Sequence, residues 1–386
     1  MTPAARLSAA IEIIDRYLAG TPAEQALTNW ARASRFAGSG DRNAIRDLVF
    51  DAIRCRRSFA ALGGGETGRG LILGGLRAAG VEPEALFTGE GHAPPPLSAQ
   101  DAGQAAEGNA ALDLPDWLLP GFTEALGADL PAVAARMRHR APVFLRVNPA
   151  RATPATAMAA LAEEGIAAAP HPLAPLALEV TEHARRIHGS AAYLQGMVEL
   201  QDAASQAVVA ALPLTNGMKV LDYCAGGGGK ALAMGAMARL DLFAHDADPR
   251  RMRDLPSRAA RAGLKVAPLT TADLPRRAPF DLVLADAPCS GSGSWRRAPE
   301  GKWLLTPERL AALLQVQAAI FRQASALVRP GGCFAYATCS MLAAENGAQV
   351  DDFLAGSADW QQVSRRSFTP LDGGDGFFIA VLQRIR

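Results

Sequence analysis

Two sets of apolar residues recur at helical spacing near the start of the chain: Ile11, Ile14 and Leu18, then Ile45, Val49 and Ile53. We therefore expect residues 1–60 to be helical. Between about residues 61 and 115 the pattern changes, because Gly, Pro and Ala become frequent and end in the Gly-His-Ala-Pro-Pro-Pro run at 91–96. These residue types favour turns, so part of this stretch is expected to be loop or linker.

Residues 115–201 mix short helical patterns with strand-like runs. The clearest of these runs is Val-Phe-Leu-Arg-Val at 143–147. Branched and aromatic residues in a run of this length indicate a strand. We expect a small α+β module in this part of the chain.

After Gly217 the chain alternates between strand and helix patterns. The predicted strands are 220–222, 242–246, 280–286 and 333–337. The predicted helices are 231–237, 249–262 and one that begins at Thr306, with Pro307 in its first position. Such alternation is typical of a parallel sheet with helices on both faces. The sequence therefore predicts an α/β, doubly wound sheet.

The composition is that of a folded protein with no membrane span. Hydrophobic residues make up 49% and charged residues 20% of the chain. Its 386 residues are enough for two or three domains of ~150 residues. No apolar run approaches the ~18 residues that a span needs. Glu12 and Asp15 follow the N-terminus too closely for a signal peptide. We expect a cytoplasmic protein without a membrane partner.

The net charge of +1 conceals an uneven distribution. Residues 61–130 carry 2 basic and 10 acidic residues, so the rest of the chain is mildly basic. A basic surface of this size is compatible with nucleic-acid binding. Residues 136–151 include six basic side chains and no acid, which can be read as phosphate contacts or as a solvated charged face.

The chain has five cysteines: Cys55, Cys224, Cys289, Cys333 and Cys339. No two of them form a Cys-x-x-Cys motif, and no histidine lies at metal-ligand spacing from any of them. We expect neither a disulfide framework nor a metal site. In a reducing compartment, the question is which thiol is reactive.

A glycine-rich loop follows the first strand of the predicted sheet, with four glycines at 226–229 and then Lys230. Such a loop lets backbone amides approach a ligand at a helix N-terminus. It is not a Walker A motif, because Cys224 would have to be its first glycine and Ala231 follows the lysine. A nicotinamide dinucleotide site and a tight turn without a ligand are the alternatives.

Two acids follow later strands of the same sheet. Asp246 ends the second strand, 24 residues after Asp222, where it could bind a ribose diol; its alternative is a helix cap, since Asp248 and Pro249 follow. Asp273, after a further strand that comes before 280–286, could face an adenine edge or could be a solvated loop acid.

Cys289 and Cys339 each follow a strand of the predicted sheet, in the runs 286–293 and 336–340. Singly, each cysteine reads as a small buried hydrophobe. Together they lie at the carboxyl ends of adjacent strands, where open α/β sheets bind ligands. The pair therefore predicts joint chemistry, while Cys55, Cys224 and Cys333 are read as core residues.

Several motifs in this order resemble the Sun/RsmB family of S-adenosylmethionine-dependent RNA cytosine-5 methyltransferases. The motifs are Gln201-Asp202-x-x-Ser205-Gln206, the glycine loop ending in Lys230, Asp286-Ala287-Pro288-Cys289-Ser290-Gly291, Arg296-Arg297, Lys302-Trp303 and Thr338-Cys339-Ser340. The resemblance covers 190–386 most strongly and 130–190 more loosely. Residues 1–60, with Gly40-Asp41-Arg42 and the 45–49 run, look like a NusB-like helical domain.

This resemblance implies a class I, Rossmann-like methyltransferase fold and three domains. The domains are a helical NusB-like RNA-binding domain with linker at 1–115, a small RNA-side module at 116–195 and the methyltransferase domain at 196–386. It implies methylation of cytosine carbon 5 in RNA, with 16S rRNA as the expected partner, by a monomer that binds no metal.

The resemblance also implies roles for individual residues. Cys339 would be the nucleophile that adds to the base, Cys289 would assist release, and Asp286 would hydrogen-bond the cytosine ring. The implied cofactor contacts are Cys224, Ala225, Gly226, Gly227, Gly228, Gly229, Lys230, Asp246, Arg251, Asp273 and Asp286. The implied RNA contacts are Arg138, Arg140, Arg146 and Arg297.

The sequence departs from the family pattern at Gly227, Ala231, Ala298 and Ala337, where proline, threonine, asparagine and serine are usual. None of these changes removes a group assigned to bond making, so activity is still expected. The alternatives are the same reaction on tRNA, a non-catalytic RNA-binding assembly factor and, more distantly, a nicotinamide oxidoreductase. The NusB-like head favours rRNA, and the two thiols with Asp286 favour catalysis.

Overall fold

The computed structural model describes residues 1–386 as two units, one of residues 1–120, 128–140 and 295–304, the other of 121–127, 141–294 and 305–386. The sixteen α-helices are α1 Pro3–Leu18, α2 Ala23–Ala33, α3 Ser39–Arg54, α4 Arg56–Gly63, α5 Gly68–Ala78, α6 Leu119–Leu126, α7 Leu130–Met137, α8 Pro154–Glu163, α9 Ala191–Leu194, α10 Ala203–Ala210, α11 Gly229–Met237, α12 Leu255–Ala262, α13 Leu274–Arg277, α14 Glu300–Leu304, α15 Pro307–Ser325 and α16 Gly347–Ala355. None of them combines the length and the hydropathy required for crossing a bilayer.

The eleven strands belong to two sheets. They are β1 Val143–Val147, β2 Ala167–Pro170, β3 Ala177–Glu182, β4 Val198–Leu200, β5 Lys219–Asp222, β6 Asp241–His245, β7 Ala267–Leu269, β8 Phe280–Asp286, β9 Val328–Thr338, β10 Trp360–Phe368 and β11 Phe377–Arg384.

The first unit is helical, as the apolar spacing predicts. Helices α1 and α3 bury Ile14, Ile45, Val49 and Ile53 in one core. The glycine-rich stretch after residue 61 is only partly loop, because residues 68–78 form α5. Its glycines allow close helix packing: a Cβ on Gly74 would lie 2.0 Å from the Phe59 carbonyl oxygen.

A short segment from late in the chain, residues 295–304, completes this helical unit. Trp303 Nε1 donates to the Ile53 carbonyl at 2.7 Å, and Lys302 Nζ donates to the Arg54 carbonyl at 2.8 Å. The Arg54 guanidinium in turn donates to the Arg296 carbonyl at 3.1–3.2 Å. The bonds from Trp303 and Lys302 satisfy carbonyls at the last turn of α3, where the helix itself leaves carbonyls without partners.

Lys302 gives the stability of this unit a pH dependence. Burial lowers the pKa of Lys302 to about 8 from 10.5, so folding disfavours the charged form, and the free energy of unfolding should rise as pH increases from 8 towards 10.5. Relative to Lys302→Met, the wild type should gain about 2–3 kcal/mol between pH 7 and pH 10. Urea titrations of both proteins at several pH values measure this; a difference that stays constant with pH would contradict it.

The second unit contains a four-stranded antiparallel sheet, in the order β2-β3-β1-β4. The strand predicted at 143–147 is β1, at the inside of this sheet. Buried residues from β1, β3 and α8 form its core. This part of the chain is the expected small α+β module.

The larger sheet of the second unit has seven strands, in the order β10-β11-β9-β8-β5-β6-β7. Strands β9, β8, β5, β6 and β7 are parallel, and β11 is antiparallel to both β9 and β10. This confirms the predicted α/β sheet and its Rossmann-like class. The order reverses between β5 and β8, so ligands are expected at the carboxyl ends of these strands.

Two boundaries differ from the sequence prediction. The helix predicted over 249–262 is a 3₁₀ turn, Pro249–Met252, followed by α12 from Leu255. Pro256 has no amide hydrogen to continue a preceding helix, but it is tolerated in the first turn of a new one. The strand predicted from Cys333 begins earlier, at Val328, and runs through 330–332.

Candidate active site

The glycine loop joins β5 to α11 and is shaped by two residues with left-handed backbone. Gly226 and Gly228 have φ values of 51° and 78°. A Cβ on Gly228 would lie 2.2 Å from Leu255 Cδ1. The loop therefore keeps its close approach to the neighbouring helix α12 only if position 228 is glycine.

Asp222 stands at the end of β5 with an unpartnered carboxylate. The side chain is buried and neither oxygen has a hydrogen-bond partner, although the Ala231 amide lowers the pKa of this carboxyl. Burial, helped by the charge of Asp286, raises the pKa of Asp222 to about 7. Buried carboxylates without partners are rare, so this one fits a ligand that carries positive charge. S-adenosylmethionine, the cofactor that the resemblance implies, carries such charge.

Asp246 is buried and fixes the glycine loop. Its carboxylate accepts from the Gly226 amide at 2.9 Å and from Arg251 Nη1 at 3.1 Å. The helix-cap role belongs instead to Asp248, which accepts from the Arg250 amide at 3.1 Å. Asp246 is therefore held at the crevice by groups other than a helix N-terminus.

Asp273 is half-buried, and its carboxylate is engaged locally. One oxygen accepts from both the amide and the hydroxyl of Thr270, at 3.1 and 2.6 Å. These bonds form a capping box at the short helix after β7. Contact with an adenine edge stays a prediction for this residue.

Lys230 and Asp286 form an ion pair at the carboxyl ends of β5 and β8. Lys230 Nζ lies 2.5 Å from Asp286 Oδ2 and 4.9 Å from the centre of the Phe377 ring. Burial alone would lower the pKa of Lys230, but Asp286 outweighs burial and raises it. Lys230 is therefore a buried, charged ammonium group.

The two strand-end thiols are in contact, with Cys289 Sγ and Cys339 Sγ 3.4 Å apart. The hydrogen bond between them raises the pKa of Cys289 and lowers the pKa of Cys339. The charge of Lys230 and a hydrogen bond from the Ser294 hydroxyl lower the pKa of Cys339 as well. These opposite shifts favour Cys289 as the donor in this bond and make Cys339 the thiol that ionises first. A thiolate is the nucleophilic form of cysteine.

The other three cysteines fit their reading as core residues. Burial raises the pKa of Cys55 to about 11 and raises the pKa of Cys224 and Cys333. Thiols that stay protonated in apolar surroundings are unreactive.

The four arginines proposed to contact RNA have different surroundings. Arg138 pairs with Asp113 at 3.1 Å, whereas Arg140 is 63% exposed and pairs with Asp47 at 3.2 Å. Arg297 is exposed.

Arg146 needs correction as a residue that faces RNA. It is only 4% exposed and donates to the Gln201 side chain and, at 3.0 Å, to the Gly229 carbonyl. Its guanidinium is hydrogen-bonded to the first residue of α11. The side chain is buried because β1 lies inside the small sheet.

Sequence reasoning missed a buried carboxylate at this site, Glu345, which hydrogen-bonds the serines that directly follow the two thiols. The positions of Ser290 and Ser340 next to the cysteines were the available signal. Glu345 itself lies outside any motif or periodic pattern.

Two family models match the chain. Residues 209–383 match the model described as 16S rRNA methyltransferase RsmB/F, and residues 114–186 match the RsmF/B-like ferredoxin-like domain.

The names of similar proteins agree with these family models. "Ribosomal RNA small subunit methyltransferase B" of Salmonella arizonae is 33% identical over 285 residues, which is 69% of this chain and 66% of the relative. The protein of the same name from Xanthomonas campestris pv. campestris is 34% identical over 288 residues, with the same shares covered. The chain thus spans 66% of the length of these relatives.

Solved structures share the fold. The crystal structure of PH0851 matches with a TM-score of 0.75 at 20% identity, covering 100% of this chain and 99% of that one. NSun6 from Pyrococcus horikoshii, solved with SFG, matches with a TM-score of 0.62 at 17% identity, covering 70% of this chain and 98% of that one.

Proposed function

Because the chain belongs to the RsmB/F family of methyltransferases, we propose that it methylates carbon 5 of a cytosine in RNA, with 16S rRNA as substrate. The observation that carries this proposal is the thiol pair, 3.4 Å apart at the ends of β8 and β9. Two thiols of opposite pKa shift suit a reaction that first adds a thiolate to the base and later expels it.

The cofactor of the proposed reaction is S-adenosylmethionine, which supplies a methyl group on a positively charged sulfur. Asp222 offers a buried, unpartnered carboxylate for its positive charge. The 226–229 loop lies at the start of α11, and in this proposal Asp246 accepts from a ribose diol. Arg251, at the same edge, is 57% exposed and tied to Asp246.

The chain's own groups perform the steps on the base. The Cys339 thiolate forms a bond to carbon 6, and the electrons of the carbon 5–carbon 6 double bond make carbon 5 nucleophilic. After carbon 5 gains the methyl group, a proton acceptor removes the hydrogen that carbon 5 still carries. The double bond then re-forms and the carbon–sulfur bond breaks, which returns the Cys339 thiolate. Cys289, next to Cys339, assists this release.

Asp286 and Lys230 assist the addition step. Asp286 is 31% exposed, which leaves its carboxylate accessible to the target cytosine. A hydrogen bond from this residue near nitrogen 3 favours the electrophilic form of the cytosine. Lys230 holds Asp286 and stabilises the thiolate. A cytosine within a duplex could not reach these groups, so the target is single-stranded or flipped out.

The phosphate contacts of this proposal are the exposed cations Arg140 and Arg297. Such contacts supply affinity without reading sequence. Arg138 stays in the proposal with a smaller exposed surface, and Arg146 is left out because it is buried.

The direct test supplies the purified protein with labelled S-adenosylmethionine and either a 16S rRNA transcript or a tRNA pool. Nucleoside mass spectrometry should find 5-methylcytidine in the rRNA. Label in tRNA alone would reassign the substrate. Binding of RNA without any methylated nucleoside would favour a non-catalytic assembly factor.

Replacing Gly228 tests the cofactor crevice. Gly228→Val is expected to abolish S-adenosylmethionine binding, because its Cβ would collide with Leu255 Cδ1 at 2.2 Å and its backbone would be forced from φ 78°. Isothermal titration calorimetry measures the loss. Gly217→Val is a matched control: it also replaces a positive-φ glycine, but one in open space before β5. Equal loss of binding in both variants would contradict the assignment.

A further inference from the structure

Glu345 is a fully buried carboxylate. One oxygen accepts from the Ser290 amide at 2.8 Å and from Gln317 Nε2 at 3.0 Å. The other oxygen accepts from the hydroxyls of Ser290 and Ser340. Four donors therefore converge on one side chain that lies between β9 and α16.

These donors come from the two loops that carry the thiols. Ser290 directly follows Cys289, and Ser340 directly follows Cys339. Gln317, in α15, also donates to the Pro288 carbonyl at 2.9 Å, on the other side of Cys289. Glu345 consequently connects the backbone around Cys289 with the residue next to Cys339.

Further bonds tie the same two loops together. The Ser292 and Ser340 hydroxyls are 3.0 Å apart, and the Met341 amide donates to Ser292 Oγ at 2.8 Å. The Gly293 amide donates to the Cys339 carbonyl at 2.9 Å. The Ser290 and Ser340 hydroxyls are also 3.3 Å apart, and each donates to the Glu345 carboxylate. The ionised carboxylate can only accept, so it fixes the direction in which both hydroxyls donate.

We propose that Glu345 is a positioning residue for the thiol pair, whose carboxylate holds the loops of Cys289 and Cys339 at the separation at which the two sulfurs touch. This inference rests on the proposed function, because it gives the thiols their task. It concerns geometry at the ends of β8 and β9 and requires no contact between Glu345 and RNA or cofactor.

The chemistry of the donors explains why a carboxylate occupies this position. An ionised carboxylate accepts on both oxygens and donates nothing, whereas a glutamine offers one accepting oxygen and an NH₂ group. In Glu345→Gln, the amide NH₂ would face donors on one side, so at least one loop would lose its anchor. Hydrogen bonds to an ionised acceptor are also stronger than neutral ones, which suits a position that must fix two loops.

The rate of disulfide formation between Cys289 and Cys339 measures this positioning without any RNA. Diamide oxidises the two thiols to a disulfide and is itself reduced to the hydrazine, and mass spectrometry of peptides identifies the pair. Glu345→Gln should form this disulfide at least ~10-fold more slowly than wild type. It should lower the kcat of methyl transfer ~100-fold with little change in KM for S-adenosylmethionine, as expected for misplaced reacting groups.

Asp281→Asn is the matched control. Asp281 lies at the opposite end of β8, is partly buried and accepts from the Lys219 amide at 2.7 Å, so it undergoes the same chemical change away from the thiols. It should keep the wild-type disulfide rate. Ser290→Ala combined with Ser340→Ala provides a second test that leaves the carboxylate in place, and it should slow disulfide formation too.

The outcomes separate this inference from the proposed function. A wild-type disulfide rate in Glu345→Gln would overturn the inference, and if that variant does not fold, the same rate in the double serine variant would overturn it. Slower disulfide formation in a protein that methylates no cytosine would support the positioning role and reject the function. Equal slowing by Asp281→Asn would show a general loosening of the sheet and would also overturn the inference.

Discussion

Cys339→Ala is expected to abolish both methyl transfer and any covalent adduct with RNA, whereas Cys289→Ala is expected to accumulate the adduct. The pKa shifts motivate this assignment: the pKa of Cys339 is lowered, which favours its thiolate, and the pKa of Cys289 is raised, which favours its protonated form. Without Cys289, addition and methyl transfer still occur, but the release step loses the group beside the carbon–sulfur bond. The product then stays attached to the protein.

Denaturing electrophoresis of each variant after incubation with RNA and S-adenosylmethionine distinguishes the two roles. A band of slowed mobility that disappears on RNase treatment should appear for Cys289→Ala and be absent for Cys339→Ala. Cys333→Ala is the matched control. Cys333 lies in β9, the strand that ends just before Cys339, but it is not part of the thiol pair. An adduct trapped by Cys339→Ala instead would make Cys289 the nucleophile, and unchanged methylation in both variants would reject the thiol mechanism.

The parts of the fold that are local could be predicted from the sequence. The strand at 280–286 reads as a continuous apolar run because it is buried on both faces of a parallel sheet. The glycine loop and the two strand-end thiols are also local signals. Their meeting at 3.4 Å follows from the adjacency of β8 and β9, since carboxyl ends of neighbouring parallel strands share an edge.

The remaining features depend on contacts between residues far apart in the sequence, which no local pattern predicts. Arg146 stands in a basic run, yet it is buried because β1 lies inside the small sheet. Lys302 lies 248 residues from Arg54, whose carbonyl it binds. Glu345 gains its partners from three separate parts of the chain. In each case a polar side chain has its role assigned by the tertiary structure.

Lys230→Met is expected to reduce methyl transfer at least ~100-fold at neutral pH, a loss typical of removing an electrostatic stabiliser from a buried site. Lys230 is the ammonium group beside Asp286, at 2.5 Å, and it lowers the pKa of both Asp222 and Cys339. Methionine has similar length and no charge. The variant therefore leaves two carboxylates and a thiol in a buried site without their shared cation.

The pH dependence identifies this cause. Without Lys230 the pKa of Cys339 rises, so less thiolate is present at a given pH, and adduct formation should require a higher pH than in the wild type. The pKa of Asp222, about 7 with Lys230 present, rises as well, so the carboxylate is protonated at neutral pH and S-adenosylmethionine should bind more weakly there. Adduct formation and S-adenosylmethionine binding should both recover in part as the pH is raised.

Lys230→Arg separates the charge from the side chain's shape. Its guanidinium keeps the positive charge, so the pH at which adduct forms should stay close to that of the wild type even if its bulk reduces the rate. Stopped-flow quenching at pH 6.5–9.5 gives the adduct profiles, and calorimetry over the same range gives the cofactor affinities. A Lys230→Met profile that coincides with the wild-type profile would show that Lys230 acts by packing alone, because removal of a nearby positive charge must raise the pKa of a thiol that it stabilises.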